Sequence, residues 1–532
     1  MPISAPPISY DELPYPGLCY TQTHPGRLAA CARLLGLAPA PVTRCRVLEL
    51  GCASGGNLLP MAYALPESTF IGIDLSARQI AEATETVRAL GLGNIAFLAM
   101  DIRDISADLG EFDYIIAHGL YSWVPPEVRD SLLATCRANL APQGVAYVSY
   151  NAYPGWHTLL GLREMMLYHT RNEHDPHQRA EQARALIAFL RDAVADERNR
   201  AYGTFIEGYH DLLELQLEDA RPRIDAALLH DELEEHNDPV YFWQFAEHAA
   251  RHGLQFLVEA DFPLSMPNNL SDEVVGALQG ICETIVDTEQ YMDFIRNRTF
   301  RRTLLCHAHL AVERTLRTAR VRELAVSTRA VRLADEPEGT HPGAARYRSP
   351  DGAIFQTDHP LTIAALDCLV ARAPQALPFA TLAQAAAQRL GQGAPPDDEV
   401  THLAANLLKA FTYSLSLVEF HGYTPTFVTS ASERPVASAL ARYQARESDR
   451  VANLRHERVH LDPLGRYILP HLDGRHTRED LLALLDDLIA KGALRLRGEG
   501  DEAPSMETLR RRIQEELDHA LAWLARAALL VG

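Results

Sequence analysis

The sequence predicts an α/β fold: a doubly wound, mostly parallel sheet of seven strands with helical insertions, followed by a mostly helical, winged-helix-like C-terminal region. Three observations carry this. From Cys45 to about residue 150, short apolar runs alternate with helical stretches, the pattern of parallel strands joined by helical crossovers. The first run ends in a glycine-rich turn, VLELGCASGGN at 47–57, that opens onto a helix. In the last third, a unit of three helices ending in a strand occurs twice.

The elements follow in order. RVLEL, TFIGIDL, NIAFLAMD, FDYIIAHG and GVAYVSYN read as strands one to five. Between the second and third, SARQIAEATETVRAL reads as a helix capped by Ser76 and stopped by Gly91, residues suited to those ends. A long polar helical stretch covers about 158–235, and YFWQFAEHAARHGLQFLVEADF then gives an amphipathic helix, a stop at Gly253 and a sixth strand. Two more helical segments lead to FRRTLLCHAHL, the seventh strand, so the sheet domain extends to about 312. The Pro- and Gly-rich ADEPEGTHPGAARYRSPDG suits a linker. Helices starting at Pro360–Leu361 and Pro463–Leu464 open the two C-terminal units. The expected division is therefore 1–157 as a cofactor-binding core, 158–312 as a helical insertion plus the last two strands, 313–350 as a linker, and 351–430 and 431–532 as two winged-helix-like modules. Their third helices carry acids among few bases, which favours protein contact over groove reading.

A chain of 532 residues is too long for one core. It has no run of eighteen apolar residues, and its opening, MPISAPPISYDELPYP, has neither the basic flank nor the apolar core of a signal. A cytoplasmic protein without membrane insertion is expected. The 8 cysteines form no CxxC pair, which argues against structural zinc, iron–sulfur clusters and disulfides. A net charge of −20 opposes nucleic-acid binding. Against that acidity stands a basic run, Arg296, Arg298, Arg301, Arg302, Arg314, Arg317, Arg320, Arg322, Arg329 and Arg332. It reads either as a solvated face or interdomain ion-pair network, the favoured reading, or as a seat for an acidic partner. Lysine is nearly absent, with only Lys409 and Lys491.

A glycine turn alone says little about its ligand. Here Glu49 ends the first strand immediately before the turn, Asp74 ends the second and Asp101 ends the third. A carboxylate beside the turn would repel a pyrophosphate but not a sulfonium-bearing amino acid. Asp74 can accept ribose hydroxyls, and Asp101 can meet an adenine amino group. The ligand that fits is S-adenosylmethionine, and no metal is called for.

At these residues the chain resembles the class I, Rossmann-like methyltransferases, and more narrowly the rickettsial-type bacterial protein-lysine methyltransferases that carry a methyltransferase regulatory domain. The resemblance rests on YDELPYPGLCYTQTHPGRLA, VLELGCASGGNLLPMA, HGLYSWVP, YNAYPGWH, DELEEHNDPVYFWQFAEHAARHGLQFLVEA and EQYMDFIRNRTFRRTLL, and covers about 8–312. It implies methyl transfer to a lysine amine. It also implies a cofactor set of Glu49, Gly51, Ala53, Gly55, Asn57, Asp74, Leu75, Asp101, Ile102 and His118, with Tyr20, Thr23 and His24 folded over the cofactor. Ala53 replaces the middle glycine of the usual turn, which should crowd the cofactor slightly. His24 has an alternative reading as a capping residue.

A lysine acceptor must lose its proton, and an apolar, aromatic pocket lowers its pKa and tolerates developing charge. His118, Tyr121 and Trp123 after strand four and Tyr150, Asn151, Tyr153 and Trp156 after strand five are the candidates. His118 is a possible proton relay; ordinary core packing is the competing reading for every ring. The segment lacks the Asn/Asp-Pro-Pro-Tyr of nucleic-acid amino methyltransferases and the glutamate pair of arginine methylation. A small-molecule N- or O-methyltransferase and a non-catalytic S-adenosylmethionine sensor are the remaining alternatives.

Overall fold

The computed structural model describes residues 17–194, 200–219, 224–234, 236–334, 343–491 and 506–532. The opening MPISAPPISYDELPYP and positions 335–342 of the Pro- and Gly-rich segment lie outside the described residues.

Seven strands form one sheet: β1 (Arg46–Leu50), β2 (Thr69–Asp74), β3 (Ile95–Ala99), β4 (Phe112–Ala117), β5 (Leu140–Asn151), β6 (Leu254–Glu259) and β7 (Phe300–His307). Their order is β3-β2-β1-β4-β5-β7-β6. The seven-stranded expectation holds, with each strand at its anticipated segment. β1 to β5 pair in parallel, whereas β7 runs antiparallel to both neighbours. Phe300 at the start of β7 pairs with Asn151 at the end of β5, and Thr303 pairs with Glu259 at the end of β6. The helices Asp272–Ile281 and Ile285–Arg296 thus return the chain to the edge at which β6 finished, and the next strand enters reversed.

The central strands read as unbroken apolar runs because both faces are covered. Val47, Tyr114, Ile116, Val145 and Tyr147 pack on one side, and Leu48, Leu50, Ile115, Ala146 and Val148 on the other. Ser76 caps Ala77–Leu90 by accepting from the Gln79 amide, and Gly91 closes that helix at φ 65°. The polar stretch after β5 forms four helices, Gly155–His169, Pro176–Ala193, Arg200–Asp219 and Ile224–Glu232. They enclose a separate core that includes Leu162, Met166, Ile187, Ile206 and Leu228.

Beyond the sheet come β8 (Ala325–Ser327), β9 (Val331–Arg332), β10 (Ala345–Arg348), β11 (Ile354–Thr357), β12 (Leu377–Pro378) and β13 (Glu419–His421). β8 is the middle strand of β12-β8-β13, against which Phe379–Arg389 packs, followed by Asp397–Tyr413. The expected linker 313–350 is therefore corrected: it contributes β8, β9 and β10. Val326 of β8 is completely buried, but a three-residue strand behind an arginine-rich run has no readable period. The last unit holds the hairpin β14 (Arg450–Ala452) and β15 (Arg458–His460), with helices Ala439–Gln444, Pro463–Ile468, Arg478–Ala490 and Met506–Arg526. Its core includes Ile468, Leu481, Leu485, Leu517 and Leu524. Among the described residues, no helix is long and apolar enough to cross a membrane.

The basic run is ion-paired: Arg298 and Arg301 are buried, whereas Arg317, Arg329 and Arg332 pair at the surface, an arrangement that fits the ion-pair-network reading. Arg301 is fully buried among Glu259, Glu289 and Asp293, and Arg298 reaches Glu259 and Asp293. Arg302 pairs with Asp261, Arg317 and Arg320 with Glu313, Arg322 with Asp397, Arg329 with Glu419 and Glu457, and Arg332 with Asp367. Arg296 and Arg314 donate to backbone carbonyls. These guanidiniums tie helices to strand ends and join the sheet domain to the modules that follow.

Candidate cofactor and acceptor site

The site lies at the carboxyl ends of β1, β2 and β3, where an open α/β sheet leaves a crevice. The turn after β1 holds Gly51 at φ 73° and Gly55 at φ 77°. A Cβ on Gly55 would sit 2.4 Å from the Phe97 ring. Ala53 also adopts a left-handed φ of 48°, a conformation that costs a residue with a Cβ roughly 1 kcal/mol. The Ala53 amide donates to Asp74 Oδ2 at 2.8 Å and the Ser76 amide to Asp74 Oδ1 at 2.9 Å. Asp101 is a half-buried carboxylate gripped by the exposed side chain of Arg103, which holds its pKa below the usual carboxylate range. Leu75 is 58% exposed beside Asp74, and Ile102 is buried next to Asp101.

Glu49 is the most unusual member. It is 3% exposed, and Oε1 accepts from Asn57 Nδ2 at 2.7 Å. Oε2 is buried with no hydrogen-bond partner among the described residues. Burial pushes the carboxyl up to about 8; the Asn57 hydrogen bond opposes this, and the Asp74 charge adds to it. A buried carboxylate with one open oxygen fits a cationic ligand group, and the amino-acid end of S-adenosylmethionine is one. Glu49, Asp74, Asp101 and the glycine turn would hold that cofactor, with Leu75 as an apolar wall.

The N-terminal segment closes on this turn. The Tyr20 amide donates to Asn57 Oδ1 at 3.0 Å, and the Thr23 hydroxyl lies 3.1 Å from the same oxygen. A Cβ on Gly56 would meet the Gly17 carbonyl carbon at 2.3 Å, which shows how closely the segment lies on the turn. The Tyr20 ring rests on His118 with centroids 3.7 Å apart. His24 is elsewhere: its Nδ1 accepts from the Gly26 amide, capping Pro25–Leu34, and its ring faces Tyr423 and His456. The capping reading is the one its geometry supports.

At the end of β4, His118 Nδ1 sits 2.9 Å from the Tyr147 hydroxyl. Burial, helped by the Arg302 charge, pushes its pKa down to about 3. Burial thus favours the neutral ring, which fits a positioning role better than a proton relay. Tyr121 and Tyr150 are core residues. Tyr121 is 3% exposed with its hydroxyl 2.8 Å from His248 Nδ1, and Tyr150 stacks on Phe245 at 4.1 Å with its hydroxyl 3.0 Å from Thr303 Oγ1. Asn151 is buried, donating from Nδ2 to Asn237 Oδ1 at 2.9 Å. Trp123 meets Trp156 edge to face at 6.5 Å, and Tyr153 stacks on His157 at 3.9 Å beside Tyr241. Half-buried Tyr20, Trp123 and Tyr153 with neutral His118 thus remain as candidates to line an acceptor channel. Tyr150→Phe is expected to lower the melting temperature while leaving S-adenosylhomocysteine affinity within about twofold, since a surface-independent core bond contributes about 1 kcal/mol. An affinity change without a stability change would return Tyr150 to the site.

Sequence reasoning missed His456. It lies in the β14–β15 hairpin, and its Nε2 is 2.8 Å from Asn57 Oδ1. No periodicity could link residues 399 positions apart.

Three known families match the chain: a methyltransferase domain at residues 47–144, a predicted methyltransferase regulatory domain at 225–307, and the PKMT C-terminal winged helix domain at 433–529. An uncharacterised protein of Rickettsia prowazekii is 32% identical over 531 residues, covering 98% of this chain and 93% of its own. A second from the same organism is 35% identical over 250 residues, 47% of this chain and 97% of its own. Among solved structures, PKMT2 from Rickettsia typhi, alone and in complex with AdoHcy, superposes with a TM-score of 0.84 at 28% identity, covering 98% of this chain and 100% of that one.

Proposed function

Because the chain belongs to the PKMT family of S-adenosylmethionine-dependent methyltransferases, we propose that its acceptors are lysine side chains of a protein. The observation that carries this is the full-length likeness to PKMT2, which extends through the regulatory and winged-helix regions rather than stopping at the methyltransferase core. Shared core alone would leave the acceptor open.

The surroundings of the crevice favour the same acceptor. S-adenosylmethionine supplies an activated methyl group on its sulfonium. The chain's part is to orient an amine, exclude water and keep that amine unprotonated. Tyr20, Trp123 and Tyr153 offer rings that accommodate a cationic side chain. His118, held neutral, adds no positive charge to oppose one. Desolvation among these rings lowers an ammonium pKa without a dedicated base.

The test is incubation of the protein and of Asp74→Ala with methyl-labelled S-adenosylmethionine and extract of the source cells, followed by separation of protein, nucleic acid and small molecules. Label in protein that survives acid hydrolysis as methyl-lysine, and is absent with Asp74→Ala, is the expected outcome. Label confined to small molecules overturns the lysine reading, and cofactor binding without any transfer identifies a sensor. Removal of the C-terminal modules is a poor discriminator between acceptors, because His456 reaches Asn57 of the cofactor turn.

A further inference from the structure

The hairpin that carries His456 belongs to the winged-helix unit at the far end of the chain, yet it is built into the glycine turn. His456 is 2% exposed and adopts a left-handed φ of 61°, a region a non-glycine residue rarely occupies. Its neighbours hold it there. Asn453 Oδ1 accepts from the amides of Arg455 and Glu457, both at 2.9 Å, and the His456 amide donates to the Asn453 carbonyl at 3.2 Å. The His456 carbonyl accepts from the Thr21 hydroxyl at 2.9 Å. Arg455 reaches buried Glu419 of β13, which also pairs with Arg27 of the helix Pro25–Leu34. Three distant parts of the chain are thereby clamped around one loop, and strain at a single residue persists where the surroundings over-determine it.

The hydrogen bonds have a definite polarity. Asn57 Oδ1 only accepts, so His456 Nε2 carries the hydrogen and donates. That bond and the one from the Tyr20 amide occupy both lone pairs of the oxygen, while the Thr23 hydroxyl has an alternative acceptor in the Tyr20 carbonyl at 2.8 Å. With Oδ1 fixed in this way, the amide cannot flip, and Nδ2 must face Glu49. At the opposite end of this relay is Glu49 Oε2, the buried oxygen without a partner.

We propose that His456 is a positioning residue of the cofactor site: through Asn57 it sets Glu49, so that the site is complete only when the C-terminal hairpin is docked. Cofactor affinity and hairpin docking are then reciprocal, since any group that favours one must favour the other by the same factor. The hairpin is accordingly the route by which an occupant of the C-terminal unit would tune cofactor binding. This rests on the cofactor and not on the identity of the acceptor, and its test uses no acceptor.

The experiment is calorimetric titration of the full chain with S-adenosylhomocysteine. His456→Ala is expected to weaken binding at least tenfold, and His456→Gln, whose amide N–H can still donate, to recover to within about threefold of wild type, the span of roughly one hydrogen bond to a polar group. Asn57→Ala should weaken binding by itself, and adding His456→Ala to it should change little further, because the two act in one relay. Wild-type affinity in His456→Ala overturns the proposal. Additive losses in the double variant overturn it as well, since they would mean that His456 acts by general loosening of the fold. Hydrogen exchange gives a second readout: S-adenosylhomocysteine should slow exchange of the 453–457 amides in wild type and not in Asn57→Ala. Unchanged exchange in wild type would refute the reciprocity.

Discussion

Arg301→Met is expected to destabilise the protein by about 3–5 kcal/mol, the range for stripping a buried charge cluster of one partner. Arg301 is 0% exposed and donates to Glu259 Oε1 at 2.8 Å, to Glu289 Oε2 at 3.0 Å and to both oxygens of Asp293 at 2.8 Å. Its guanidinium also lies 3.9 Å from the centre of the Phe242 ring. Glu259 has further donors in Arg298, Thr303 and the Arg302 amide; burial pushes its pKa up, but the Arg298 and Arg301 charges with those bonds hold it below the ordinary range. Glu289 and Asp293 have fewer, and burial raises both. With Arg301 gone, three buried carboxyls share one remaining guanidinium, so at least two must take up protons to stay inside. The sign follows from linkage: their folded-state pKa values rise further, so the variant is least impaired at low pH and loses stability as pH increases. Urea midpoints at mildly acidic and mildly alkaline pH check this, with the gap to wild type widening toward alkali. Glu289→Gln is the control, expected within about 1 kcal/mol of wild type because it removes a carboxyl that burial already disfavours. A midpoint for Arg301→Met equal to that of wild type at every pH would falsify the account.

The same cluster shows what a sequence reveals and what it conceals. The first six sheet strands were legible from apolar runs with a turn signal at their ends, and Ser76, Gly91 and Gly253 mark their helix ends by local chemistry alone; β7, with Arg301 and Arg302 near its start, was read from its apolar second half. The acids at the ends of β1, β2 and β3 were legible for a related reason, since position after a strand fixes position in the crevice. Charge partners were not. Arg301 and Glu259 meet because β6 and β7 are neighbours in a mixed sheet, and the basic run by itself named no partner. The aromatic residues divide in the same manner. β5 is buried without alternation from Val145 to Asn151, and the covering helix Phe242–Arg251, which buries both Tyr121 and Tyr150, is separated from them by a whole helical insertion. His456 is the extreme case. Nothing in the sequence around it points to the glycine turn, and only the packing of the C-terminal unit on the core assigns it a partner.

Glu49→Gln is expected to weaken S-adenosylhomocysteine by about 10- to 100-fold, the effect of removing a charge-assisted bond of roughly 1.5–3 kcal/mol, and to abolish a proton release that wild type displays. In the free protein burial places the Glu49 carboxyl at about 8, so near neutral pH it is mostly protonated. A ligand ammonium beside Oε2 favours the ionised form and drives the proton off. Binding near pH 7 should therefore release close to one proton for each site, and affinity should rise with pH, by up to about tenfold per unit, until the carboxyl of the free protein is itself ionised. Titrations in two buffers of different ionisation enthalpy measure the released proton directly: the apparent binding enthalpies should differ for wild type and agree for Glu49→Gln. The unliganded protein gives the converse. A raised carboxyl pKa contributes stability below the ordinary glutamate range that is lost as pH rises through about 8, so Glu49→Gln should melt higher than wild type in alkali and close to it in acid. Equal enthalpies in both buffers for wild type would mean that Glu49 is already ionised before binding, and would remove it as the group that senses the cofactor's charge. Loss of the proton signal together with weaker binding and a higher alkaline melting temperature is a combination that a residue of merely structural importance would not give, because a structural residue loses stability when it is replaced.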